Sequence, residues 1–301
     1  FWDKKNKTIL CILLSPITFL ILIFIKLKNL RTRKKYSFPI ICVGNIYLGG
    51  TGKTPLSIEI FKVCKKFGKK AAFVKKFYPY LKDEIRLLKK YSKVFSDQSR
   101  IVSLNRMEKE NFDIAILDDG FQDASIEKKY SIICFNSKQW IGNGLVIPSG
   151  PLRENLSALE RANCVFINGK YNKSFNNFLL KINKHLKIFY YKYKILNLKT
   201  FKKNKVIAFA GIGNPTNFFS TLRENGLKLI ETISFPDHYD FSKKDLDNLI
   251  NKSNLKGAKL ITTEKDYHRL NNKYKSHINY AQTKLVIGNK TNFEKTIQKQ
   301  I

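Results

Sequence analysis

Ile40-Ile-Cys-Val-Gly-Asn-Ile-Tyr-Leu-Gly-Gly-Thr-Gly-Lys-Thr54 is the stretch from which the rest of the chain is read. Apolar, mostly β-branched residues (Ile40, Ile41, Val43) run into a glycine-rich loop ending in Gly52-Lys53-Thr54. That order predicts a strand, a phosphate loop and a helix start. Glycine lets the backbone turn its N–H groups inward around an anion, and the helix behind adds the positive end of its dipole. The expected nucleotide-binding segment is therefore Tyr47, Leu48, Gly49, Gly50, Thr51, Gly52, Lys53 and Thr54. Lys53 is placed to reach the β- and γ-phosphates, and the Thr54 hydroxyl to hold Mg²⁺. The strict pattern has a glycine where this chain carries Tyr47, so the loop is a variant. The competing reading is a flexible turn with a chance Gly-Lys-Thr, and the strand before it disfavours that.

Phe112-Asp-Ile-Ala-Ile-Leu-Asp-Asp-Gly-Phe-Gln122 carries the second signal. An apolar strand ends in two carboxylates, Asp118 and Asp119, and then a glycine. Carboxylates at a strand's C-terminal end, beside a phosphate loop, are positioned for Mg²⁺ in the Walker B manner, and strand ends are where open α/β sheets bind ligands. Alone, Asp-Asp-Gly reads equally well as a turn. Further on, Gly142-Asn-Gly-Leu-Val-Ile-Pro-Ser-Gly-Pro-Leu-Arg-Glu154 is a loop closing on Arg153, able to bind phosphate bidentately, and Glu154, a candidate for the metal's shell. A surface ion pair opening a helix is the plainer alternative there.

The remaining pattern alternates strands and helices. A helix is expected over residues 55–67, a strand over 71–74, and a helix from Leu81 with Asp83 and Glu84 in its first turn, where acidic residues ordinarily complement the dipole. Strands are expected over 130–135 and 162–167. Alternating lysine, tyrosine and aliphatic residues over 188–196 suggest a ribbon leaving the first domain, and residue 205 begins a second α/β unit with strands near 227–233 and 259–262 and a helix over 242–252. Gly211-x-Gly213 lacks the third glycine of a dinucleotide fingerprint and is taken as a tight strand-to-helix turn. His238, in a loop, reads by itself as a structural hydrogen-bonder.

Residues 9–25 are almost wholly apolar, interrupted by Ser15, Pro16 and Thr18. Lys4, Lys5 and Lys7 precede them, and Lys26, Lys28, Arg31, Arg33, Lys34 and Lys35 follow. A helix of that length spans about 25 Å, a little short of a hydrocarbon core. It is expected to be a membrane anchor, snorkelling at its basic ends or partly inserted in one leaflet, with the rest of the chain on the cytoplasmic side. No small-x-small cleavage site follows, which disfavours a signal peptide.

The 301 residues carry 56 Lys and Arg against 23 Asp and Glu, a net charge of +33 spread along the whole chain. Such a field suits an anionic membrane or substrate as well as nucleic acid, and no nucleic-acid-binding signature accompanies it. The five cysteines are widely spaced in apolar settings, without metal-ligand or disulfide-framework spacing, and are expected to be buried thiols.

Taken in order, Gly44-Asn-Ile…Gly49-Gly-Thr-Gly-Lys-Thr-Pro55, Asp118-Asp-Gly-Phe-Gln122, Gly150-Pro-Leu-Arg-Glu154, Phe209-Ala-Gly-Ile-Gly-Asn-Pro215, Asp237-His238 and Thr263-Glu-Lys-Asp266 resemble the tetraacyldisaccharide 4'-kinases, the lipid A 4'-kinases of Gram-negative bacteria. The resemblance covers nearly the whole chain. It implies a phosphoryl transfer from ATP, with Mg²⁺, to the 4'-hydroxyl of a tetraacylated disaccharide 1-phosphate. It also implies an α/β phosphate-loop NTPase-like parallel-sheet domain (37–187), a β-ribbon linker (188–204), a smaller C-terminal α/β domain (205–301) and an N-terminal anchor with a basic neck (1–36). From the family, Asp83 is expected to be the base and His238 its assistant, with Lys53 and Arg153 also catalytic and Thr54, Asp118, Asp119 and Glu154 on the metal. The segment before Asp83, Lys75-Lys-Phe-Tyr-Pro-Tyr80, is shorter than the family's glycine-rich version, and Asp123 stands where many members have histidine. The expected partners are the acylated disaccharide and anionic lipids of the inner membrane, on its cytoplasmic face. Nucleic acid is not expected to bind, and the chain is expected to be a monomer. The rival is a membrane-attached phosphate-loop ATPase or GTPase acting as a switch or motor; a GTPase would want a guanine motif that Thr263-Glu-Lys-Asp266 narrowly misses.

Overall fold

The computed structural model describes Trp2, residues 8–30 and residues 32–301. The chain forms two compact units, Phe1–Lys192 with Ile287–Ile301, and Tyr193–Val286. Lys4, Lys5, Lys7 and Arg31 of the flanking basic clusters lie outside the described residues.

The first unit contains α1 (Ile9–Leu13), α2 (Ser15–Asn29), β1 (Ile40–Gly44), α3 (Lys53–Lys66), β2 (Ala71–Val74), α4 (Lys82–Lys89), β3 (Val94–Phe95), α5 (Arg100–Lys109), β4 (Ile114–Asp118), β5 (Tyr130–Asn136), β6 (Cys164–Asn168), α6 (Lys173–Ile182) and β7 (Lys187–Ile195). After β8 (Lys205–Ala210), α7 (Pro215–Glu224), β9 (Leu229–Ser234), α8 (Lys243–Leu255), β10 (Ala258–Thr263), α9 (Glu264–Arg269) and β11 (Ile278–Ala281), the chain returns through β12 (Thr283–Ile287) and α10 (Lys290–Gln298). The eight-stranded sheet has the order β12-β7-β6-β5-β1-β4-β2-β3. The β7–β6, β6–β5, β5–β1, β1–β4, β4–β2 and β2–β3 pairs are parallel. Every residue of β1, β4 and β5 is buried, which is why these strands read as unbroken apolar runs. Helix α3 completes one layer with Leu56, Ile60, Phe61, Val63 and Cys64.

The position of β1 fixes the site. It lies in the middle of the sheet between β4 and β5, and the loop after it opens at the strands' carboxyl ends. The registers Val43↔Asp118 and Val74↔Leu117 carry the ends of β1, β4 and β2 to one level.

The second unit is a four-stranded sheet, β11-β10-β8-β9, with all three pairs parallel. Its Gly211 turn is pinned by Asp266, whose buried carboxylate accepts the Gly211 N–H at 3.0 Å and the Thr263 hydroxyl at 2.8 Å. Thr263-Glu-Lys-Asp266 is thus the start of α9, with Thr263 accepting from the Asp266 N–H at 3.0 Å.

Two expectations change. The stretch 9–25 is not one continuous helix: it breaks at Leu14 into α1 and the 15-residue α2. Among the described residues no helix is long and apolar enough to cross a membrane. Its polar interruption has a cause, because Thr18 is buried and its hydroxyl donates to Ser149 Oγ at 2.8 Å, docking α2 on the loop before Gly150. The opposite side leaves Ile12, Leu13, Phe19, Leu20, Phe24 and Leu27 each more than half exposed. Secondly, residues 287–301 belong with the first unit, whereas the sequence assigns them to the smaller C-terminal domain over 205–301. Phe293 and Ile297 of α10 are buried, Phe293 packs on Phe166 and Phe189, and Glu294 accepts from Lys66 of α3 at 2.6 Å. A short amphipathic helix at the chain's end carries no signal of which sheet it will cover.

Candidate active site

The phosphate loop begins with a close approach. A side chain at Gly44 would put a Cβ 2.4 Å from that of Phe121, so only glycine lets the Asp-Asp-Gly-Phe turn lie on the loop's root. Asn45 Nδ2 donates to the carbonyls of Tyr47 and Gly49 at 2.5 and 3.1 Å, folding the loop on itself. Gly52 takes φ +81° as the N-cap of α3. Tyr47, where the strict pattern has glycine, is 4% exposed; its ring joins the core and its backbone bridges Leu152. Leu48 N–H donates to Pro151 O, and Arg153 N–H to Ile46 O. Of the eight residues expected to bind nucleotide, Tyr47 therefore serves the scaffold. Thr51 Oγ is buried and has no hydrogen-bond partner among the described residues, an orphaned donor of the kind a phosphate oxygen would satisfy.

Around this loop the strand ends bring charges together. Asp118, fully buried, accepts from Thr54 Oγ1 at 2.9 Å, Ser57 Oγ at 3.1 Å and Lys75 Nζ at 2.6 Å. Lys75 also lies 2.8 Å from Glu84 of α4. Burial would lower the Lys75 ammonium, but Asp118 and Glu84 outweigh it and hold it above the ordinary lysine range. Asp119, just past the end of β4, takes a left-handed φ of +64°, which aspartate tolerates. It lies 3.6 Å from Lys53 Nζ and accepts from Arg153 Nη1 at 2.9 Å, while Arg100 donates to its carbonyl. Burial raises the Asp119 carboxyl, yet Lys53, Arg153, Lys75 and Arg100 together hold it below the usual carboxylate range. Lys53, Thr54, Asp118, Asp119 and Arg153 are thus linked through shared hydrogen bonds and ion pairs.

Glu154 has a different partner: its buried carboxylate pairs with Arg161, which stacks over the Phe121 ring. Among the described residues no group of three His, Cys, Asp or Glu side chains able to hold a metal forms. What the site offers a magnesium ion is the partial set expected of a nucleotide-coupled one, the Thr54 hydroxyl with the strand-end carboxylates, and phosphate oxygens would have to supply the rest. Asp83 stands in the first turn of α4, next to Glu84 and so one residue from the Lys75 bridge. In the second unit His238 has φ +58°; its N–H donates to Gly211 O, and Lys265 Nζ lies 3.2 Å from Nε2. Asp123 accepts from Arg100 at 3.1 Å and from Ser125 at 2.6 Å, a structural use of the position where histidine is common in the family. Sequence reasoning gave no role to Ser57 or Arg100, which belong to no motif, nor to Lys75, which opens the shortened segment before Asp83. Lys75 had one usable signal, a charged residue directly after the apolar run of β2. All five cysteines are free and buried, as expected.

A relative from Pelagibacter ubique called tetraacyldisaccharide 4'-kinase is 42% identical over 295 residues, covering 97% of this chain and 94% of that one. One of the same name from Rickettsia canadensis is 36% identical over 297 residues, covering 90% of this chain and 89% of its own. A crystal structure of LpxK from Aquifex aeolicus in complex with ATP superimposes with a TM-score of 0.71 at 23% identity, covering 97% of this chain and 99% of that one, which shows a shared fold. The family model for tetraacyldisaccharide-1-P 4'-kinase matches residues 10–81 and 80–301, and with these relatives it shows that the chain belongs to the tetraacyldisaccharide 4'-kinase family.

Proposed function

We propose that this chain transfers the γ-phosphoryl group of ATP to the 4'-hydroxyl of a tetraacyldisaccharide 1-phosphate, with Asp83 as the proton acceptor. The observation that carries the reading is the cluster of Lys53, Thr54, Asp118, Asp119 and Arg153 at the C-terminal ends of parallel strands. Phosphoryl transfer asks mainly for donors around charge that spreads over the transferred oxygens. Lys53, the N-terminal end of α3 and the orphaned Thr51 hydroxyl supply donors, and Arg153 and Arg100 steady Asp119. Magnesium, when bound with the nucleotide, would be held by Thr54 and the strand-end carboxylates and would neutralise phosphate charge. Asp83 takes the hydroxyl proton.

Support for the acceptor comes from a cavity of about 350 Å³ beside α4, lined by Phe77, Ile85 and Val94 together with Lys82, Arg86, Lys89 and Arg106. This mixed apolar and cationic lining suits an acylated, phosphate-bearing sugar. The apolar outer side of α1 and α2 is read as lying in the interface of the inner membrane's cytoplasmic leaflet, where anionic lipids meet the basic neck. Transfer of labelled phosphate from ATP to a tetraacyldisaccharide 1-phosphate, with a no-lipid control, tests the reaction. ATP turnover indifferent to the lipid would instead favour a switch or motor. Co-sedimentation with anionic vesicles, lost on replacing Phe19, Leu20 and Phe24 by serine, tests the membrane reading.

A further inference from the structure

Among the described residues, in a chain with 56 lysines and arginines, Lys75 is the one basic side chain that is buried, at 2% exposure. It directly follows β2, and the register Val74↔Leu117 brings it beside Asp118 at the end of β4. Its ammonium sits between two carboxylates, 2.6 Å from Asp118 Oδ2 and 2.8 Å from Glu84 Oε2. That is the place and charge a cation bridging these carboxylates would take. The Thr54 and Ser57 hydroxyls occupy further acceptor positions on Asp118, and Asp119 is engaged by Lys53 and Arg153. The strand-end carboxylates are thus already answered by the chain's own donors.

We propose that Lys75 is a resident counter-ion for Asp118 and Glu84 that keeps free divalent cations off the site, so that the kinase takes its metal only together with nucleotide. The proposal rests on the nucleotide reading above. A divalent ion arriving alone meets the Lys75 charge and finds Asp118's oxygens engaged. One arriving with a triphosphate brings its own oxygen ligands and enough negative charge to outweigh that repulsion. Lys75 acts through Asp118 and is a positioning residue.

The test is direct binding of Mn²⁺, followed by electron paramagnetic resonance, to full-length protein without nucleotide. Wild type and Lys75→Arg should take up no Mn²⁺ at millimolar concentration. Lys75→Met, which keeps the length and removes the charge, should bind it at least about tenfold more tightly, the effect expected of deleting one nearby like charge. The variant's melting temperature should fall without metal and recover with Mn²⁺, a recovery that a purely mechanical strap would not show. Uptake by wild type, or a folded Lys75→Met that gains none, overturns the proposal. Should Lys75→Met fail to fold, millimolar Mn²⁺ is expected to restore it, and failure to do so overturns the proposal equally. A fluorescent ATP analogue with Mg²⁺ separates the two ideas: if wild type does not bind it, the nucleotide reading has failed; if it binds and Lys75→Met gains no Mn²⁺, only the Lys75 proposal falls.

Discussion

Replacing Asp118 by asparagine removes one negative charge and almost no volume, so it isolates what that carboxylate does. Asp118 is fully buried and accepts from Thr54, Ser57 and Lys75 at 2.9, 3.1 and 2.6 Å. Asparagine keeps one acceptor oxygen but turns an amide toward the ammonium, leaving Lys75 buried with Glu84 alone. Breaking a buried pair by removing one partner costs about 3–5 kcal/mol, a large share of a typical total of about 5–15 kcal/mol. For a unit of this size each kcal/mol moves the melting temperature by about 2–4 °C, so a drop of roughly 6–20 °C is expected in calorimetry. Lys75→Met in the Asp118→Asn background removes the stranded charge and should recover about half of the loss, a coupling measured by the double-mutant cycle. Phosphate transfer should fall by about 10²-fold or more in both variants. A melting temperature within about 2 °C of wild type, or strictly additive single effects, would refute the claim that these groups form one charged unit.

Asp83→Ala should cut turnover sharply while ATP affinity, read with a fluorescent analogue, stays near wild type; Lys53→Ala should weaken both, and wild-type-like turnover in Asp83→Ala would remove it as the base. Arg86→Glu reverses a charge in the lining of the cavity beside α4 and should raise KM for the acylated acceptor several-fold with KM for ATP unchanged; an equal change in both would disconnect that cavity from the acceptor. The pH dependence follows from Asp119, whose carboxyl is held below its ordinary value. A depressed carboxylate adds stability that is complete above the unfolded value of about 3.9 and lost as pH falls through the folded value. The stability gap between wild type and Asp119→Asn in urea should therefore be flat above about pH 4 and shrink below it, and a gap that widens in acid would contradict the assignment.

Much of this site is legible in residue order because its parts are local. A glycine-rich loop needs its glycines in sequence, and an apolar strand ending in Asp118-Asp119 announces both its direction and its terminus. The apolar runs of β1, β4 and β5 likewise declare strands buried on both faces. What the chain alone left open depends on pairing between distant segments. Register sets Lys75 beside Asp118, and no spacing rule links positions that far apart. Arg161 pairs with Glu154, and Thr18 docks the broken apolar N-terminal stretch on the loop at Ser149, neither of which residue order announces. The return of α10 to the first unit was equally silent. Local chemistry is written in neighbouring residues; which charge answers which carboxylate is decided when parallel strands bring their ends to one level.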